Sequence, residues 1–484
     1  MSDALAGSHP EPRLAPRSAA IANLGCKVNQ AEMEAAARLL RERGVTLVDD
    51  RARADLYLVN TCTVTAVADQ KSRQAVRRAR RANPDAQVVA TGCSVQVDPT
   101  AFTAADPGAR LVDNRSKAAL LDELAALVGL PAEGPPDADV GPGRATDAPL
   151  PTLSGVELDG VADDRAAPER TRAFVKVQDG CSFFCTYCII PTARGLERSL
   201  PPEAILADVR GALAAGRREI VLTGINIGTY DGGWSERGFR GAHARSALTL
   251  AGLVRRILAE TSVERIRLSS IEPQHVDDDL LDAWISAGAG RCLPHFHLPL
   301  QSGDDGVLRR MGRRYDARFY AALVERIRAV IPAVAIHGDV IVGFPTEDDA
   351  AWERSRAFIQ SIGFAGLHVF RYSTRPGTPA VRMAGQVHER TRKQRAAELL
   401  SLAAEARSAF AAAHVGREAA VLFETRLPDG RWVGHAEDHQ LVAVHAPGRR
   451  LENAIERVTI EAVDPAAADR VVGRIVSGGG GDAR

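Results

Sequence analysis

A strand-like run followed by an amphipathic helical stretch recurs in two separate regions of this 484-residue chain. In the first region, residues 17–130, the strand-like runs are AAIANLG, DLYLVN, QVVATG and ARLVDN. In the second, residues 170–405, there are six: AFVKV, EIVLTG, RIRLSS, HFHLPL, AIHGDVIVG and GLHVFRY. Strands that alternate with helices predict parallel sheets covered by helices, so we expect an α/β protein.

The two regions predict different architectures. The first predicts an N-terminal parallel-sheet α/β domain, whose first helix we expect from about Gln30 to Arg43. The six strand–helix repeats of the second predict a partial (β/α)6 barrel rather than a closed eight-stranded one, with its chemistry at the C-terminal strand ends. A long helix, about 388–413, leads out of it. The short strands and turns of residues 412–478 predict a small β-barrel.

Two segments do not show this periodicity. Residues 1–16 are polar and rich in Pro and Ala, and we expect them to be disordered. Residues 131–169 are dense in Pro, Gly, Asp and Ala and predict a linker. The first residues do not form a signal peptide, and no apolar run approaches the roughly 20 residues of a membrane span. We therefore expect a cytoplasmic protein without a membrane partner.

The chain has seven cysteines, an odd number that argues against a disulfide framework in a reducing compartment and favours metal or redox chemistry. Cys181, Cys185 and Cys188 lie in CSFFCTYC, directly after the first strand of the partial barrel. Three thiolates at this spacing can hold three corners of a cubane iron–sulfur cluster and leave one iron open. The alternative is structural zinc, which needs a fourth ligand. No fourth cysteine or histidine lies nearby in sequence.

A second set of cysteines follows the strands of the first domain. Cys26, Cys62 and Cys93 end the segments NLGC, VNTC and ATGC. Because the C-terminal ends of parallel strands gather at one edge of a sheet, these cysteines can converge on a second cluster. Three buried, apolar cysteines are the alternative. Asn29 and Asn60 flank the loops and can orient their backbone.

The seventh cysteine, Cys292, has no partner in either set, and we interpret it as a buried structural thiol. His295 and His297 alternate along the strand that follows it and therefore share one face. They line the pocket if that face is the barrel interior. Otherwise they are hydrogen-bonded core histidines, which is an equally good interpretation.

A C-x₃-C-x-Y-C motif that opens a partial barrel resembles the radical S-adenosylmethionine superfamily, in which the open iron chelates the amine and carboxylate of the cofactor. The segments that end the later strands, LTGIN, RLSSIEP, HLPLQSGDD and GDVIVGFPTED, agree with this resemblance in their order. The resemblance implies a set of residues that contact S-adenosylmethionine: Tyr187, Gly224, Asn226, Ser270, Glu272, Gln301, Ile341 and Gly343.

Two three-cysteine sets followed by a small β-barrel resemble the methylthiotransferase family, over nearly the whole chain after residue 16. The segment VLFETRLPDGRWVGH is similar to a TRAM domain, the RNA-binding barrel of that family. Three further segments, LGCKVNQ, CTYCIIPTARG and LHVFRYSTRPGTPA, resemble the threonylcarbamoyladenosine-tRNA branch. The resemblance implies methylthiolation of N6-threonylcarbamoyladenosine, at C2 of the adenine beside the anticodon.

The same resemblance implies two 4Fe–4S clusters and S-adenosylmethionine as cofactors. The barrel cluster reduces and cleaves S-adenosylmethionine, and the resulting radical removes hydrogen from C2, a position that no ordinary base deprotonates. The second cluster carries the sulfur. The implied partners are tRNA, a flavodoxin- or ferredoxin-type electron donor and a sulfur source. The alternatives are methylthiolation of isopentenyladenosine in tRNA or of a ribosomal protein side chain, and a zinc-containing RNA-binding protein without catalytic activity.

Contacts with RNA must come from local patches of charge, because the formal net charge of the chain is +0. The TRAM-like tail has more acidic than basic residues and no lysine. A better candidate is the helix DQKSRQAVRRARR after Cys62, where Arg73, Arg77 and Arg81 share one face at i, i+4 and i+8. The alternative is that this face is simply solvated.

Overall fold

The structure is a computed structural model, and it describes residues 16–232 and 248–476 except 115, 116, 118, 129–170 and 289. The predicted linker at 131–169, and all but Pro16 of the predicted disordered segment at 1–16, lie outside the described residues. The described chain contains an N-terminal parallel sheet, a partial barrel and a C-terminal closed barrel. The predicted α/β fold with its three parts is confirmed.

The N-terminal unit is a five-stranded parallel sheet in the order β2-β1-β3-β4-β5, with an apolar cluster on each face. Its strands are β1 (Ser18–Asn23), β2 (Thr46–Val48), β3 (Leu56–Thr61), β4 (Gln87–Gly92) and β5 (Arg110–Val112). Its helices are α1 (Lys27–Glu42), α2 (Ala66–Ala82), α3 (Cys93–Val97), α4 (Pro99–Ala105) and α5 (Ala119–Leu127). Every residue of β3 is buried, as expected for a central strand covered on both faces.

The first helix begins earlier than the sequence predicted. It starts at Lys27 instead of Gln30, and Cys26 is its N-cap residue. The sequence signal was absent because the Cys26 side chain makes no capping hydrogen bond, whereas the usual caps are Ser, Thr, Asp and Asn. Only the turn of Leu24 and Gly25 therefore separates β1 from the cysteine.

The central unit has six parallel strands in two hydrogen-bonded groups, β6-β9-β10 and β11-β12-β13. Isolated bridges, Ile266 to Cys292 and Ser270 to His297, join the groups. The strands are β6 (Arg172–Lys176), β9 (Glu219–Thr223), β10 (Arg265–Leu268), β11 (His295–His297), β12 (Ala335–Val342) and β13 (Gly366–Arg371), and a short hairpin, β7 (Gln178–Asp179) and β8 (Arg198–Ser199), follows β6. This is the predicted partial (β/α)6 barrel.

Helices cover the outside of the partial barrel. They are α7 (Pro202–Ala214), α8 (Leu250–Glu260), α9 (Asp278–Ser286), α10 (Asp305–Met311), α11 (Ala317–Val330) and α12 (Asp349–Ile362). The short helix α6 (Ile190–Arg194) contacts α3 of the N-terminal unit instead. Asp or Thr side chains cap the N-termini of α8 to α12 and accept a hydrogen bond from the first turn. Gly312 and Gly363 end α10 and α12 in the left-handed conformation. These caps fix where the five helices begin and where α10 and α12 end.

The two faces of the barrel strands differ in chemistry. Alternate residues such as Ile220, Ile266, Phe296 and Val340 pack with the helices in one apolar cluster. The residues between them point into the barrel, and many are charged or polar: Arg172, Lys176, Glu219, Arg265, Arg267, His295, His297, His337, Asp339 and His368. The barrel lumen is therefore polar.

A long helix, α13 (Glu389–Ala412), leads to a closed barrel in the strand order β14-β15-β16-β18-β17. Its strands are β14 (Glu418–Arg426), β15 (Trp432–His435), β16 (Leu441–Val444), β17 (Ile455–Val463) and β18 (Arg470–Ile475). This TRAM-like barrel docks at the N-terminal strand ends of the partial barrel. There Arg172 forms an ion pair with Glu424 at 2.7 Å, and Arg265 donates to the carbonyl of Ala420 at 2.7 Å.

Among the described residues, none of the helices has both the length and the apolar character needed to span a bilayer.

Candidate functional site

The first set of cysteines lies at one edge of the N-terminal sheet. Cys26 precedes α1, Cys62 follows β3, and Cys93 is the first residue of α3. β3 and β4 stay in register to their last residues, Thr61 and Gly92, so the loops that follow them begin side by side. The three thiols are close enough that Cys26 and Cys93 both act on the charge of Cys62.

Two asparagines tie these loops together. The Asn29 amide donates to Asn60 Oδ1 at 2.8 Å, and the Asn60 amide donates to the carbonyl of Asn29 at 3.0 Å. Cys26 Sγ donates to Asn29 Oδ1 at 3.3 Å. Gly92 has φ of +103° and leaves room for these hydrogen bonds, because a Cβ at this position would lie 2.5 Å from Asn60 Oδ1. The asparagines thus fix the backbone that presents the cysteines.

In this set, the pKa values of the Cys26 and Cys62 thiols are raised above their usual range. Burial raises the pKa of Cys62 to about 12, and the charges of Cys93 and Cys26 act in the same direction. Burial also raises the pKa of Cys26. Three neighbouring thiolates in a buried site need a positive partner, which a metal cluster supplies on binding while protons are released.

The second set of cysteines lies in a loop at the mouth of the partial barrel. The Cys181 amide donates to the carbonyl of Gly195 at 3.1 Å, and the Cys188 amide to that of Cys185 at 2.9 Å. Phe184, between them, has φ of +51°. Burial raises the pKa of Cys181 to about 11 and that of Cys188 to about 12. The loop is therefore held by its own backbone, and a bound cation would favour the thiolate forms of Cys181 and Cys188.

Arg313 brings three of the predicted site residues together. It donates to Cys185 Sγ at 3.5 Å and to the Tyr187 hydroxyl at 3.4 Å, and it forms an ion pair with Glu272. Sequence reasoning missed Arg313, which follows α10 in the segment MGRRYD and lies far from the cysteines in the chain. Tyr187 packs edge-on against Phe344, with ring centroids 6.3 Å apart.

Asn226 lies beside the same loop. Its Nδ2 is 4.0 Å from Cys181 Sγ, and its backbone amide donates to Gln178 Oε1 at 2.8 Å. Its Oδ1 is buried and has no hydrogen-bond partner in the described chain. Gly224 sits two residues earlier, where a Cβ would lie 2.9 Å from Gln178 Oε1. Asn226 therefore offers a free acceptor at the barrel mouth, as a site for a polar cofactor would.

The remaining predicted contacts of S-adenosylmethionine spread along the mouth. The Gln301 amide donates to the carbonyl of Asp339 at 2.8 Å, and the Ile341 amide to that of Gln301 at 2.9 Å, so these strand ends are paired. Ser270 bridges to β11. At Gly343, whose φ is +71°, a Cβ would lie 2.1 Å from the Arg392 side chain of α13.

Arg194 connects the two cysteine sets. It follows the second set in the chain and is buried against the N-terminal unit. Its guanidinium donates to Asp179 Oδ1 at 2.9 Å and to Asn29 Oδ1 at 2.6 Å, and forms an ion pair with Glu32 at 3.2 Å. Burial alone would raise the pKa of Asp179, but the Arg194 charge outweighs it and holds that pKa at about 2. Sequence reasoning assigned no role to this arginine.

Two further contacts hold the units in this arrangement. Asn114, whose amide is 3.6 Å from Cys93 Sγ, also donates to the carbonyl of Ala193 at 2.7 Å. On the other side, Arg375 donates to the carbonyl of Thr63 at 2.7 Å, next to Cys62. Each cysteine loop of the N-terminal unit is therefore in contact with the barrel unit.

Several titratable side chains meet in the barrel lumen below the cysteines. His297 Nε2 and His368 Nδ1 lie 2.9 Å and 3.0 Å from the same Asp339 oxygen. His295 lies 3.3 Å from His337, and its ring stacks on His439 of the TRAM-like barrel. His295 and His297 thus face the barrel interior, which answers the question that their alternation left open. Cys292 is buried in the apolar cluster outside the lumen.

The predicted RNA-binding arginines lie on α2. Arg73 is half-buried, and Arg77 and Arg81 are exposed. None of the three forms an ion pair with a residue that the structure describes, whereas Arg78 and Arg80 on the same helix each bind an aspartate. The described protein thus forms no ion pair with any of the three predicted positions.

Comparison with known families agrees with these features. The model described as "Uncharacterized protein family UPF0004" matches residues 18–113, and the Radical SAM superfamily model matches residues 175–359. The first match contains one set of cysteines and the second contains the other.

Two named relatives cover most of the chain. The threonylcarbamoyladenosine tRNA methylthiotransferase MtaB of Bacillus subtilis is 35% identical over 430 residues, which are 87% of this chain and 88% of the relative. The tRNA-2-methylthio-N(6)-dimethylallyladenosine synthase of Maricaulis maris is 33% identical over 453 residues, 91% of this chain and 94% of the relative. The two relatives act on different modified adenosines, at nearly equal identity to this chain.

Among solved structures, the radical S-adenosylmethionine methyltransferase TsrM of Kitasatospora setae superposes with a TM-score of 0.52. It is 15% identical, and the superposition covers 75% of each chain. At this identity the likeness concerns the fold alone.

Proposed function

Because this chain belongs to the MtaB-like radical S-adenosylmethionine methylthiotransferases, we propose that it methylthiolates C2 of N6-threonylcarbamoyladenosine next to the anticodon of tRNA. Membership of the family makes the chain a tRNA-modifying enzyme that uses S-adenosylmethionine and an iron–sulfur cluster. The proposal adds the identity of the nucleoside and a second cluster. It also excludes the non-catalytic zinc protein that the sequence had left open.

The contact between the two cysteine loops is the observation that carries the two-cluster proposal. Arg194 extends from the loop of Cys181, Cys185 and Cys188 to Asn29, which accepts a hydrogen bond from Cys26. Arg194 therefore links the two cysteine sets through buried hydrogen bonds. In the proposal, the two clusters act on one adenine held between the units.

In the proposal, Cys181, Cys185 and Cys188 hold the cluster that binds S-adenosylmethionine, and Cys26, Cys62 and Cys93 hold the second. When bound, the first group supplies reductive cleavage of S-adenosylmethionine, and the second supplies sulfur. The donor sets fit, since each offers three thiols and the barrel mouth adds the free acceptor of Asn226. The chain itself holds both loops in place through Arg194, Asn29 and Asn60, and fixes Tyr187 and Glu272 through Arg313.

The chemistry requires two further partners. Reductive cleavage consumes an electron, so we propose a small donor of the flavodoxin or ferredoxin type. The sulfur atom of the product must be delivered to the chain, so we propose a separate sulfur source.

The face of Arg73, Arg77 and Arg81 is proposed to bind phosphates of tRNA. Replacing all three by glutamine is expected to weaken tRNA binding and to reduce the slope of log K against log salt by about two units, since each lost phosphate contact removes somewhat less than one. Filter binding over a salt series measures this. The matched control replaces Arg210, Arg255 and Arg256, which are paired with carboxylates on the outer barrel helices. Equal slopes for the two triple variants would contradict the assignment.

The test of the proposed function is mass spectrometry of tRNA nucleosides from cells that lack the gene and from the complemented strain. We expect the methylthio form of threonylcarbamoyladenosine to disappear and to return on complementation. If it persists while methylthio-isopentenyladenosine disappears, the substrate is the one named for the dimethylallyladenosine synthase relatives. If neither nucleoside changes, the mass of the ribosomal proteins tests the remaining alternative.

A further inference from the structure

Three histidines meet where the TRAM-like barrel docks on the partial barrel. His295 is the first residue of β11, His337 lies on the neighbouring strand β12, and His439 lies in the turn between β15 and β16. One ring nitrogen of each lies within 4.8 Å of those of the other two. We call these residues the histidine triad. It lies toward the N-terminal ends of the barrel strands, whereas the barrel cysteines lie in a loop beyond the C-terminal end of β6.

The rings of the histidine triad lack the carboxylate partners of the histidines beside them. His297 contacts Asp339, and His435 contacts Glu424. Among the described residues, no carboxylate or carbonyl is hydrogen-bonded to a ring nitrogen of the triad. The His295 ring is buried, and its Nδ1 has no hydrogen-bond partner there. The hydrogen bonds of an ordinary core histidine therefore do not explain this cluster.

The distance between two of the rings fits a shared metal ion. His295 Nε2 lies 3.3 Å from His337 Nδ1. Two nitrogens bound at about 2.0–2.1 Å to one tetrahedral zinc ion lie roughly 3.3 Å apart, and imidazole is a common zinc ligand. The His439 ring lies beside both, with its centroid 4.9 Å from that of His295 and 5.5 Å from that of His337. Since the three nitrogens already lie within 4.8 Å of one another, closing the set needs a movement of about 1.5 Å or less.

The backbone of His439 supports a role for its side chain. Its φ is +74°, in the left-handed region that glycine adopts most readily. The barrel beneath holds this turn in place, because Arg267 donates to the carbonyls of Glu437 at 3.2 Å and Ala436 at 3.5 Å. His439 is thus kept in a less favourable conformation that directs its ring at β11 and β12. Backbone strain of this kind concentrates at functional sites.

The charges around the histidine triad are paired and allow a cation to enter. Arg172 Nη1 lies 3.5 Å from His439 Nε2, at the limit of hydrogen bonding, and Arg172 also forms an ion pair with Glu424 at 2.7 Å. Arg267 is paired with Glu219 at 2.7 Å. The two arginines and their two carboxylates carry no net charge together. A metal ion that displaces the weak contact to His439 therefore leaves each arginine with its own partner.

We propose that His295, His337 and His439 bind a divalent transition-metal ion, and that this ion is zinc. Three histidines with water in the fourth position are an established zinc geometry. Two ligands come from the partial barrel and one from the TRAM-like barrel, so the ion clamps the two barrels together. The site is separate from the cysteines, and the proposal does not depend on which nucleoside the enzyme modifies.

The test uses the full-length protein with its clusters in place, so that the cluster cysteines are not free to take up zinc. We expect the wild type to bind zinc in competition with a chromophoric chelator. X-ray absorption at the zinc edge should show nitrogen or oxygen ligands at about 2.0–2.1 Å and no sulfur at about 2.3 Å. His439→Asn should lower the zinc affinity about a hundredfold or more, because loss of a residue that only orients a ligand already costs ten- to a hundredfold. Asparagine tolerates positive φ, so this variant keeps the turn.

A second variant and a matched control guard against effects on folding. His337→Gln, on the other side of the interface, should give the same loss of affinity as His439→Asn. His445→Asn removes an exposed histidine from the TRAM-like barrel and should leave zinc affinity unchanged. Zinc should also slow hydrogen exchange of the amides that close the turn of residues 436–440 in the wild type, and not in His439→Asn.

Three results would overturn the proposal. The first is a wild type that binds no zinc in the micromolar range, and the second is a zinc ion with sulfur ligands. The third is equal zinc affinity of the wild type and both histidine variants. If zinc binds through the triad while exchange in the turn is unchanged, the ion does not clamp the barrels and that part of the proposal is wrong.

Discussion

Replacing any one of Cys181, Cys185 and Cys188 by alanine is expected to lower formation of 5′-deoxyadenosine from S-adenosylmethionine at least a hundredfold. The loop has only these three thiols, and its backbone is fixed by hydrogen bonds to Gly195 and within the loop itself. The loop therefore contains no spare thiol that could replace a lost one. Since loss of an outer partner of a metal ligand already costs roughly ten- to a hundredfold, loss of a ligand should cost more.

The measurement is chromatography of the anaerobic reaction with a chemical reductant, which removes any dependence on the natural electron donor. The matched control is Cys292→Ala, the same substitution at a thiol that packs in the apolar cluster. It should lower stability slightly by leaving a small cavity and should leave cleavage intact. Cleavage at wild-type rates in a variant of the barrel loop would overturn the assignment of this cluster.

Replacing Cys26, Cys62 and Cys93 together by alanine is expected to abolish methylthiolation and to leave cleavage of S-adenosylmethionine intact. 5′-Deoxyadenosine should still form, because the three side chains lie on the N-terminal unit and Arg313, Tyr187 and Glu272 keep their contacts. The methylthio nucleoside should be absent, and iron per chain should fall by about half if the two clusters are of equal size.

Retention of the N-terminal fold in this triple variant has a structural basis. Asn29 and Asn60 bond to each other and to backbone rather than relying on the thiols, and Arg194 still binds Asn29. One preparation of the variant is analysed in three ways: iron analysis counts the remaining clusters, chromatography measures 5′-deoxyadenosine, and mass spectrometry measures the methylthio nucleoside. A triple variant that still formed the methylthio product would show that the sulfur reaches the substrate by another route.

The sequence predicted the features that local patterns encode. Alternation of apolar runs with amphipathic helices predicted the parallel sheet, the six-stranded partial barrel and the final closed barrel, and each is present. The positions of the cysteines directly after strands could also be read from the sequence, because a parallel sheet brings all its C-terminal strand ends to one edge. The start of α1 was predicted too late because Cys26 is not a usual N-cap residue.

Tertiary structure alone decided which side chains meet around the cysteines. Arg194 reaches Asn29, and Arg313 reaches Glu272, across large distances in the chain. Such ion pairs and hydrogen bonds have no period of 2 or 3.6 residues and no fixed spacing, so no local pattern marks them. The docking of the TRAM-like barrel, which brings His439 against His295, is decided in the same way.

The polar lumen shows most clearly which features the sequence determines and which the tertiary structure decides. The sequence determined that each barrel strand has one apolar face, because side chains alternate along a strand and the apolar residues must pack with the helices. It did not determine that the opposite faces of six strands enclose one space, or that His439 of the TRAM-like barrel packs against His295 in it. Local periodicity fixes the orientation of a residue within its own element, whereas its neighbours depend on how distant elements pack.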